Sequence, residues 1–158
     1  MVLWLKKLKR FFIRRPGAKD ASVNDHFFHF VGARPDGSSV RFEFDDRNRK
    51  RVFMDGRFVE FEFDVFEVVV YDPFILILLS IPNRLSADIV RNLYCFQGGK
   101  QLWQVENLND KYPDRGNLPF EGIHVTDDGL LIGTDFYGRR YGIDMANGAI
   151  TQQLSSVK

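Results

Sequence analysis

Several features that would point to a particular class of protein are missing from these 158 residues. Cys95 is the only cysteine, so no intramolecular disulfide can form, and a reducing, cytoplasmic compartment is expected. The apolar run at residues 74–81 is far shorter than the roughly 20 residues of a membrane-spanning helix. The apolar run at the N-terminus stops at Lys6, before it reaches the length of a secretory signal.

Motifs that mark common catalytic and cofactor sites are also missing. The sequence has no phosphate-binding loop, dinucleotide fingerprint, zinc-protease helix, nucleophile elbow or cysteine pair. The glycines before Lys100 are followed by Gln101 and read as a hairpin turn, not as a phosphate cradle before a helix. We therefore expect no catalytic residues, no metal and no cofactor. An enzyme would need a pocket in which His124, Asp128 or Arg140 converge.

The remaining polar residues have ordinary structural interpretations. His26 and His29 stand an odd number of residues apart in a strand, so they point to opposite faces. Cys95 lies between two aromatic residues, which indicates a buried, inert thiol. Asp128 and Asp144 lie in turn sequences.

What the sequence does contain is apolar and aromatic material for a core. It is 44% hydrophobic and includes 16 phenylalanines, and its length suits one domain. The net charge of +1 conceals an asymmetry. Residues 1–19 carry seven bases and no acid, whereas the rest has 15 of the 22 bases and all 21 acids, giving 15 − 21 = −6. A basic leader therefore precedes an acidic body, which argues against nucleic acid as the partner of the body.

Residues 1–17 are predicted to form a basic amphipathic helix that ends at Pro16-Gly17. Its apolar face either packs on the body, or binds a membrane surface while the bases meet anionic lipid. A tail that binds nucleic acid or a protein is a third interpretation. The membrane-binding residues would be Trp4, Lys6, Lys7, Lys9, Arg10, Phe11 and Phe12.

Residues 18–158 are predicted to form a single β-rich domain, because apolar residues recur there with a period of two. Asp55-Gly56 predicts a type I′ hairpin turn. Alternation from Val59 to Val65 predicts one continuous strand, and the change of phase near Val65-Phe66 predicts a bulge or entry into a two-sided core. Residues 74–81 are apolar throughout, which predicts a central strand buried on both faces.

The second half combines hairpins with one long loop, at residues 107–121. Turn sequences recur about every ten residues after it, which favours an antiparallel meander. The predicted fold class is therefore mainly β, as an antiparallel meander, a sandwich or partial-propeller-like sheets, with one N-terminal amphipathic helix.

Two stretches carry a resemblance to a known family. Residues 92–105 (NLYCFQGGKQLWQV) and 129–150 (GLLIGTDFYGRRYGIDMANGAI) resemble hairpins of pyrroloquinoline-quinone-type β-propeller repeats. A closed propeller needs at least four blades, and this body has room for three, so the resemblance implies blade-like hairpins without a closed ring, cofactor or enzymatic residues. In size and style the chain also resembles small bacterial immunity proteins of polymorphic toxin systems.

Surface residues supply the remaining functional candidates. Glu60, Glu62 and Asp64 are predicted to form an acidic stripe on one strand face, suited to a basic partner such as a toxin nuclease domain. Tyr112 and Arg115 in the long loop are predicted interface anchors.

The arginines at 139–140 lie beside the aromatic residues at 136, 137 and 141, and suggest phosphate or base contacts. The acidic body argues against nucleic acid there. The leading hypothesis is a small cytoplasmic protein-binding module, in its narrower form an immunity protein that occludes its toxin. A membrane-peripheral protein and an enzyme are the alternatives.

Overall fold

The computed structural model describes residues 9–12, 27–33, 39–45, 49–82 and 90–154; for the first three ranges only the backbone pairing is described. The described residues are mainly β, as predicted. Their strands are β1 (Lys9–Phe12), β2 (Phe27–Ala33), β3 (Ser39–Asp45), β4 (Arg51–Met54), β5 (Arg57–Glu60), β6 (Val65–Tyr71), β7 (Phe74–Leu79), β8 (Leu93–Gln97), β9 (Lys100–Gln104), β10 (Phe120–Val125), β11 (Leu131–Asp135), β12 (Arg140–Ile143) and β13 (Ile150–Leu154). A short helix α1 (Leu108–Lys111) and a 3-10 turn (Pro113–Arg115) lie between β9 and β10.

These strands form three antiparallel sheets, each built mostly from consecutive strands. The N-terminal sheet has the order β2-β3-β4-β5, and the C-terminal sheet has the order β10-β11-β12-β13. The central sheet has the order β1-β6-β7-β8-β9. The antiparallel meander predicted for the second half of the chain is therefore confirmed.

The central sheet separates two hydrophobic cores. Leu76 and Leu78 pack with residues of the C-terminal sheet, including Phe120 and Tyr141. Ile77 alternates with them and packs toward the N-terminal sheet, in the core that contains Val52 and Met54 of β4. Strand β7 is apolar at every position because both of its faces are covered, which confirms the predicted central strand.

Local turn chemistry follows the sequence closely. Asp55 and Gly56 have φ of 45° and 85°, the positive pair that a type I′ hairpin turn requires. The register of β6 against β7 shifts between Val65 and Glu67, where the change of hydrophobic phase predicts a bulge.

Two predicted elements differ in the structure. The continuous strand from Val59 to Val65 is wrong, because β5 ends at Glu60 and a bend precedes β6. This bend carries the chain from the N-terminal to the central sheet, so one strand cannot span it. The loop at residues 107–121 contains α1, whose first turn is capped by the side chain of Asn107.

The predicted helix at residues 1–17 falls mostly outside the described residues. Its described part, Lys9–Phe12, is not helical but forms β1 and pairs antiparallel with β6. The edge of β6 offers backbone hydrogen-bonding groups along its length, and pairing satisfies them. Among the described residues, no helix is long and apolar enough to cross a membrane.

Candidate partner-binding surface

The turn between β11 and β12 is organised by one buried carboxylate. Asp135 is almost fully buried at the end of β11. Its Oδ1 accepts hydrogen bonds from the backbone N–H of Tyr137 at 2.9 Å and of Arg139 at 3.0 Å. Its Oδ2 accepts from Arg139 Nε at 2.7 Å and from the Tyr141 hydroxyl at 3.2 Å. One side chain thus fixes the backbone of the turn and the side chains that follow it.

This turn holds two aromatic side chains out in solvent. Phe136 is 65% exposed and Tyr137 is 70% exposed. Their ring centroids are 5.4 Å apart and their planes are nearly perpendicular, at 87°. The guanidinium carbon of Arg139 lies 5.1 Å from the centroid of the Tyr137 ring, within the range of a cation–π contact. Large apolar groups are therefore presented on a backbone that is already ordered.

The long loop reaches the same end of the C-terminal sheet. Tyr112 is half-buried, and its ring centroid is 5.6 Å from that of Tyr141. Arg115 is exposed and donates a hydrogen bond of 3.1 Å to the side chain of Gln153, which lies opposite Tyr141 in the sheet. Burial raises the pKa of Tyr141 above its ordinary value, the Asp135 carboxylate raises it further, and Arg139 and Arg115 oppose this.

We call the group formed by Phe136, Tyr137 and Arg139 the aromatic–arginine surface. Arg140 begins β12 next to this turn and is half-buried, but as the neighbour of Tyr141 in the strand it points to the opposite face of the sheet. Nη2 of Arg139 is buried without a hydrogen-bond partner. The surface therefore combines two exposed rings with a guanidinium group that is hydrogen-bonded to Asp135 and lies over the Tyr137 ring.

The predicted anchors Tyr112 and Arg115 thus lie beside residues that the sequence marked only for phosphate or base contacts. Tyr112 packs on the core, whereas Arg115 is exposed. Sequence alone did not single out Phe136 and Tyr137, whose rings are the most exposed among the residues whose burial is described. The Asp-Phe-Tyr-Gly sequence could have indicated their exposure, because it is typical of a tight turn and turns lie at the protein surface.

The predicted acidic residues lie elsewhere in the fold. Glu60, Glu62 and Asp64 are all exposed, but they occupy the end of β5 and the bend that follows it. They do not form a stripe on one strand face, since no strand contains all three. Arg51 stands opposite Glu60 in the hairpin.

The environment of Glu62 also differs from that of the predicted anchors. Glu62 lies close enough to Tyr94 to raise the pKa of its hydroxyl, which burial also raises. Arg91 lowers the same pKa, so a base lies in this region together with the acid. Tyr94 packs against the core beside the N-terminal sheet, and Tyr112 packs against the other core. The central sheet thus separates the acidic residues from the loop anchors.

The residues proposed for an enzyme site do not converge. Asp128 lies in the β10–β11 turn, where its carboxylate accepts a hydrogen bond from Thr126. Arg140 begins β12, at the other end of the same sheet, and His124 is exposed on β10. In the part of the chain that the structure describes, no group of three or more His, Cys, Asp or Glu residues could hold a metal ion.

Three of the seven candidate membrane-binding residues lie outside the described ranges. Trp4, Lys6 and Lys7 are not described. Lys9, Arg10, Phe11 and Phe12 form β1, for which the backbone pairing with β6 is known.

Comparison with known proteins places the fold in a family. No curated protein and no solved structure matches the chain significantly. One family model, described as "Domain of unknown function (DUF7957)", matches residues 42–154. The match begins within β3 and ends with β13, so it includes β6 to β9 of the central sheet, the whole C-terminal sheet and the aromatic–arginine surface. This match covers well over half of the chain, and the protein therefore belongs to the DUF7957 family.

Proposed function

We propose that this protein is a protein-binding module and that the aromatic–arginine surface contacts its partner. The observation that carries the proposal is the exposure of Phe136 and Tyr137 on a turn held by the buried Asp135. Tyr and Arg are enriched among the residues that dominate binding energy, and ordered side chains lose little entropy on association. Its role would be to occupy a partner's surface, not to transform a substrate.

The narrower proposal of an immunity protein depends on the acidic residues and on a basic toxin. Exposure of Glu60, Glu62 and Asp64 supports it. The nearby bases Arg51 and Arg91 reduce the negative potential of this region, so we favour the aromatic–arginine surface as the main contact.

The fold has three successive antiparallel sheets, and the central one packs against both of the others. This arrangement supports a partial-propeller-like description.

The test compares tagged full-length proteins in the native host. We expect the double variant F136A/Y137A to recover a specific protein partner about tenfold less well than the parent does, since truncating central aromatic anchors costs more than about 1.4 kcal/mol. Phe58→Ala is the matched control, because Phe58 is 62% exposed on β5, in a different sheet. Quantitative mass spectrometry of the captured proteins gives the readout.

Two results would contradict the proposal. One is equal recovery of every specific partner by F136A/Y137A and by the parent. The other is a partner whose recovery depends on Phe58 and not on the turn. A partner that is lost only in E60K/E62K would transfer the contact to the acidic residues and support the immunity interpretation.

A further inference from the structure

The backbone of β13 is capped by charged side chains where the strand begins. β13 is the last strand of the C-terminal sheet, and in the described part of the chain it pairs only with β12. The backbone N–H of Ile150 donates to Oε2 of Glu106 at 2.8 Å, and the backbone carbonyl of Ile150 accepts from Nζ of Lys111. These are the groups through which a further strand would pair with this edge. Two side chains therefore occupy the place of a neighbouring strand's backbone.

The capping side chains belong to residues 106–115, which we call the covering segment. The backbone N–H of Glu106 donates to the carbonyl of Gly148 at 3.0 Å, in the turn before β13. Leu108 is buried in the core of the C-terminal sheet, and Tyr112 packs against the same core. Arg115, at the other end of the segment, donates to the side chain of Gln153 at 3.1 Å. The covering segment is thus anchored in the core and contacts β13 near both of its ends.

β13 has no protection of its own against pairing with another strand. Its sequence, Ile-Thr-Gln-Gln-Leu, contains neither a charged residue nor a proline. The opposite edge of the same sheet, β10, carries the exposed Glu121. Edge strands avoid unwanted pairing through charged side chains, through proline or through a segment that covers the edge. Only the third of these protects β13.

The sequence of β13 suits pairing with a second copy of itself. In an antiparallel pair with a two-fold axis at Gln152, this residue stands opposite its own copy, and Thr151 stands opposite Gln153. All three side chains are exposed and neutral, so no like charges meet across the pair. Their hydroxyl and amide groups can hydrogen-bond to each other across the two strands. A two-fold pair uses the same edge of both chains and therefore closes as a dimer.

We infer that β13 is a strand-pairing edge for a second copy of this chain, and that the covering segment keeps this edge closed through Glu106 and Lys111. The protein is monomeric while both caps are in place, and it dimerises through β13 when they are removed. This inference goes beyond the proposed function and does not depend on the aromatic–arginine surface, which lies in the β11–β12 turn.

The test measures the mass of full-length variants by sedimentation velocity over a series of protein concentrations. The mass of E106A/K111A is expected to double as concentration rises, whereas the parent keeps the mass of one chain. E106Q/K111R is the matched control, because its side chains retain an acceptor for the N–H of Ile150 and a donor for its carbonyl. It is expected to stay monomeric.

A third variant, E106A/K111A/Q152K, identifies the strand that pairs. Its two lysines would stand opposite each other at the two-fold axis, so the dimer is expected to be lost. Gln152 is exposed, so the substitution itself is expected to leave the fold intact. If E106A/K111A does not fold, as judged by far-UV circular dichroism, Lys111→Ala takes its place. Lys111 is exposed, and its loss opens only the carbonyl of Ile150, so a weaker dimer that Q152K also abolishes is expected.

Several outcomes would overturn the inference. A folded E106A/K111A or Lys111→Ala that remains monomeric at every concentration would show that the caps do not hold an edge closed. A dimer that persists in the Q152K variant would place the contact outside β13. Dimerisation of E106Q/K111R would show that hydrogen-bond capping is not what prevents association. Masses above that of two chains would indicate open-ended pairing through two different edges, in place of the two-fold pair.

Discussion

Asp135 shows how one residue can organise a surface. Its carboxylate is buried, yet it has four hydrogen-bond partners, of which two are backbone groups of the turn. Burying an ionised group is costly unless it is paired and hydrogen-bonded, and here both conditions are met. The sequence marks this Asp only as the end of a strand before a turn. Its partners become apparent once β11 and β12 are paired.

Cys95 gives a prediction that concerns pH. Burial raises the pKa of its thiol to about 12, whereas the unfolded chain ionises at about 8.5. Above about pH 9 the unfolded state loses a proton that the folded state keeps, so the free energy of unfolding falls as pH rises, by at most about 1.4 kcal/mol per pH unit until pH approaches 12. Urea unfolding at about pH 8 and about pH 10.5 measures this loss.

Cys95→Ala supplies the control for the thiol. The pKa values of Tyr94 and Tyr141 are also raised by burial, so they lower stability in alkali in the same direction in both proteins. The difference between the parent and Cys95→Ala therefore isolates the thiol. Identical pH dependence in the two proteins would show that Cys95 does not retain its proton in the folded state.

At the scale of elements, the last hairpin is fixed by contact with the central sheet. Gly148, in the β12–β13 turn, has φ of 77°, and a β-carbon built there would lie 2.6 Å from Cε3 of Trp103. The indole N–H of Trp103 donates to the backbone carbonyl of Met145 at 2.8 Å. The glycine is therefore needed both for its backbone conformation and for the space that the ring of β9 occupies.

Substitution at Gly148 tests this packing. Gly148→Ala is expected to lower the free energy of unfolding by about 3 kcal/mol, since strain at positive φ adds to overpacking against the indole. Gly56→Ala is the matched control, because Gly56 has φ of 85° and nothing lies within 4 Å of its added β-carbon. There we expect about 1 kcal/mol. Chemical unfolding measures both variants, and equal losses would contradict the Trp103 contact.

Strand prediction succeeded where alternation coincided with pairing and failed where alternation crossed a bend. Residues 59–65 alternate in burial, with Phe61 buried and Glu60, Glu62 and Asp64 exposed. An irregular segment that lies over a core edge produces the same pattern as a strand, because burial depends on neighbours and not on hydrogen bonding. Periodicity therefore identified the buried positions but not the break in the strand.

For the whole molecule, the arrangement of the sheets makes the central sheet a shared layer. Leu76 and Ile77 are consecutive residues of β7, both fully buried, and they face different cores. Loss of the central sheet would expose both cores at once. The structure therefore predicts that the three sheets unfold together.

Two variants of β7 test this cooperativity. Leu76→Ala and Ile77→Ala are each expected to destabilise the protein by about 3 kcal/mol and to keep a single unfolding transition. Leu102→Ala, at a half-exposed position of β9, is expected to cost less than about 1 kcal/mol. Far-UV circular dichroism and the fluorescence of Trp103, in a Trp4→Phe background, are the two probes. A variant in which the probes report separate transitions would contradict a shared layer.

The sequence by itself determined the mainly β class, the type I′ turn at Asp55-Gly56, the bulge after Val65 and the buried strand β7, because short-range periodicity and turn chemistry act on neighbouring residues. Only the tertiary structure decided which aromatic residues reach solvent. Phe120 is buried against Tyr141 and Phe136 is exposed, although both stand next to a strand end. The difference arises from contacts between residues distant in sequence, which local patterns do not encode.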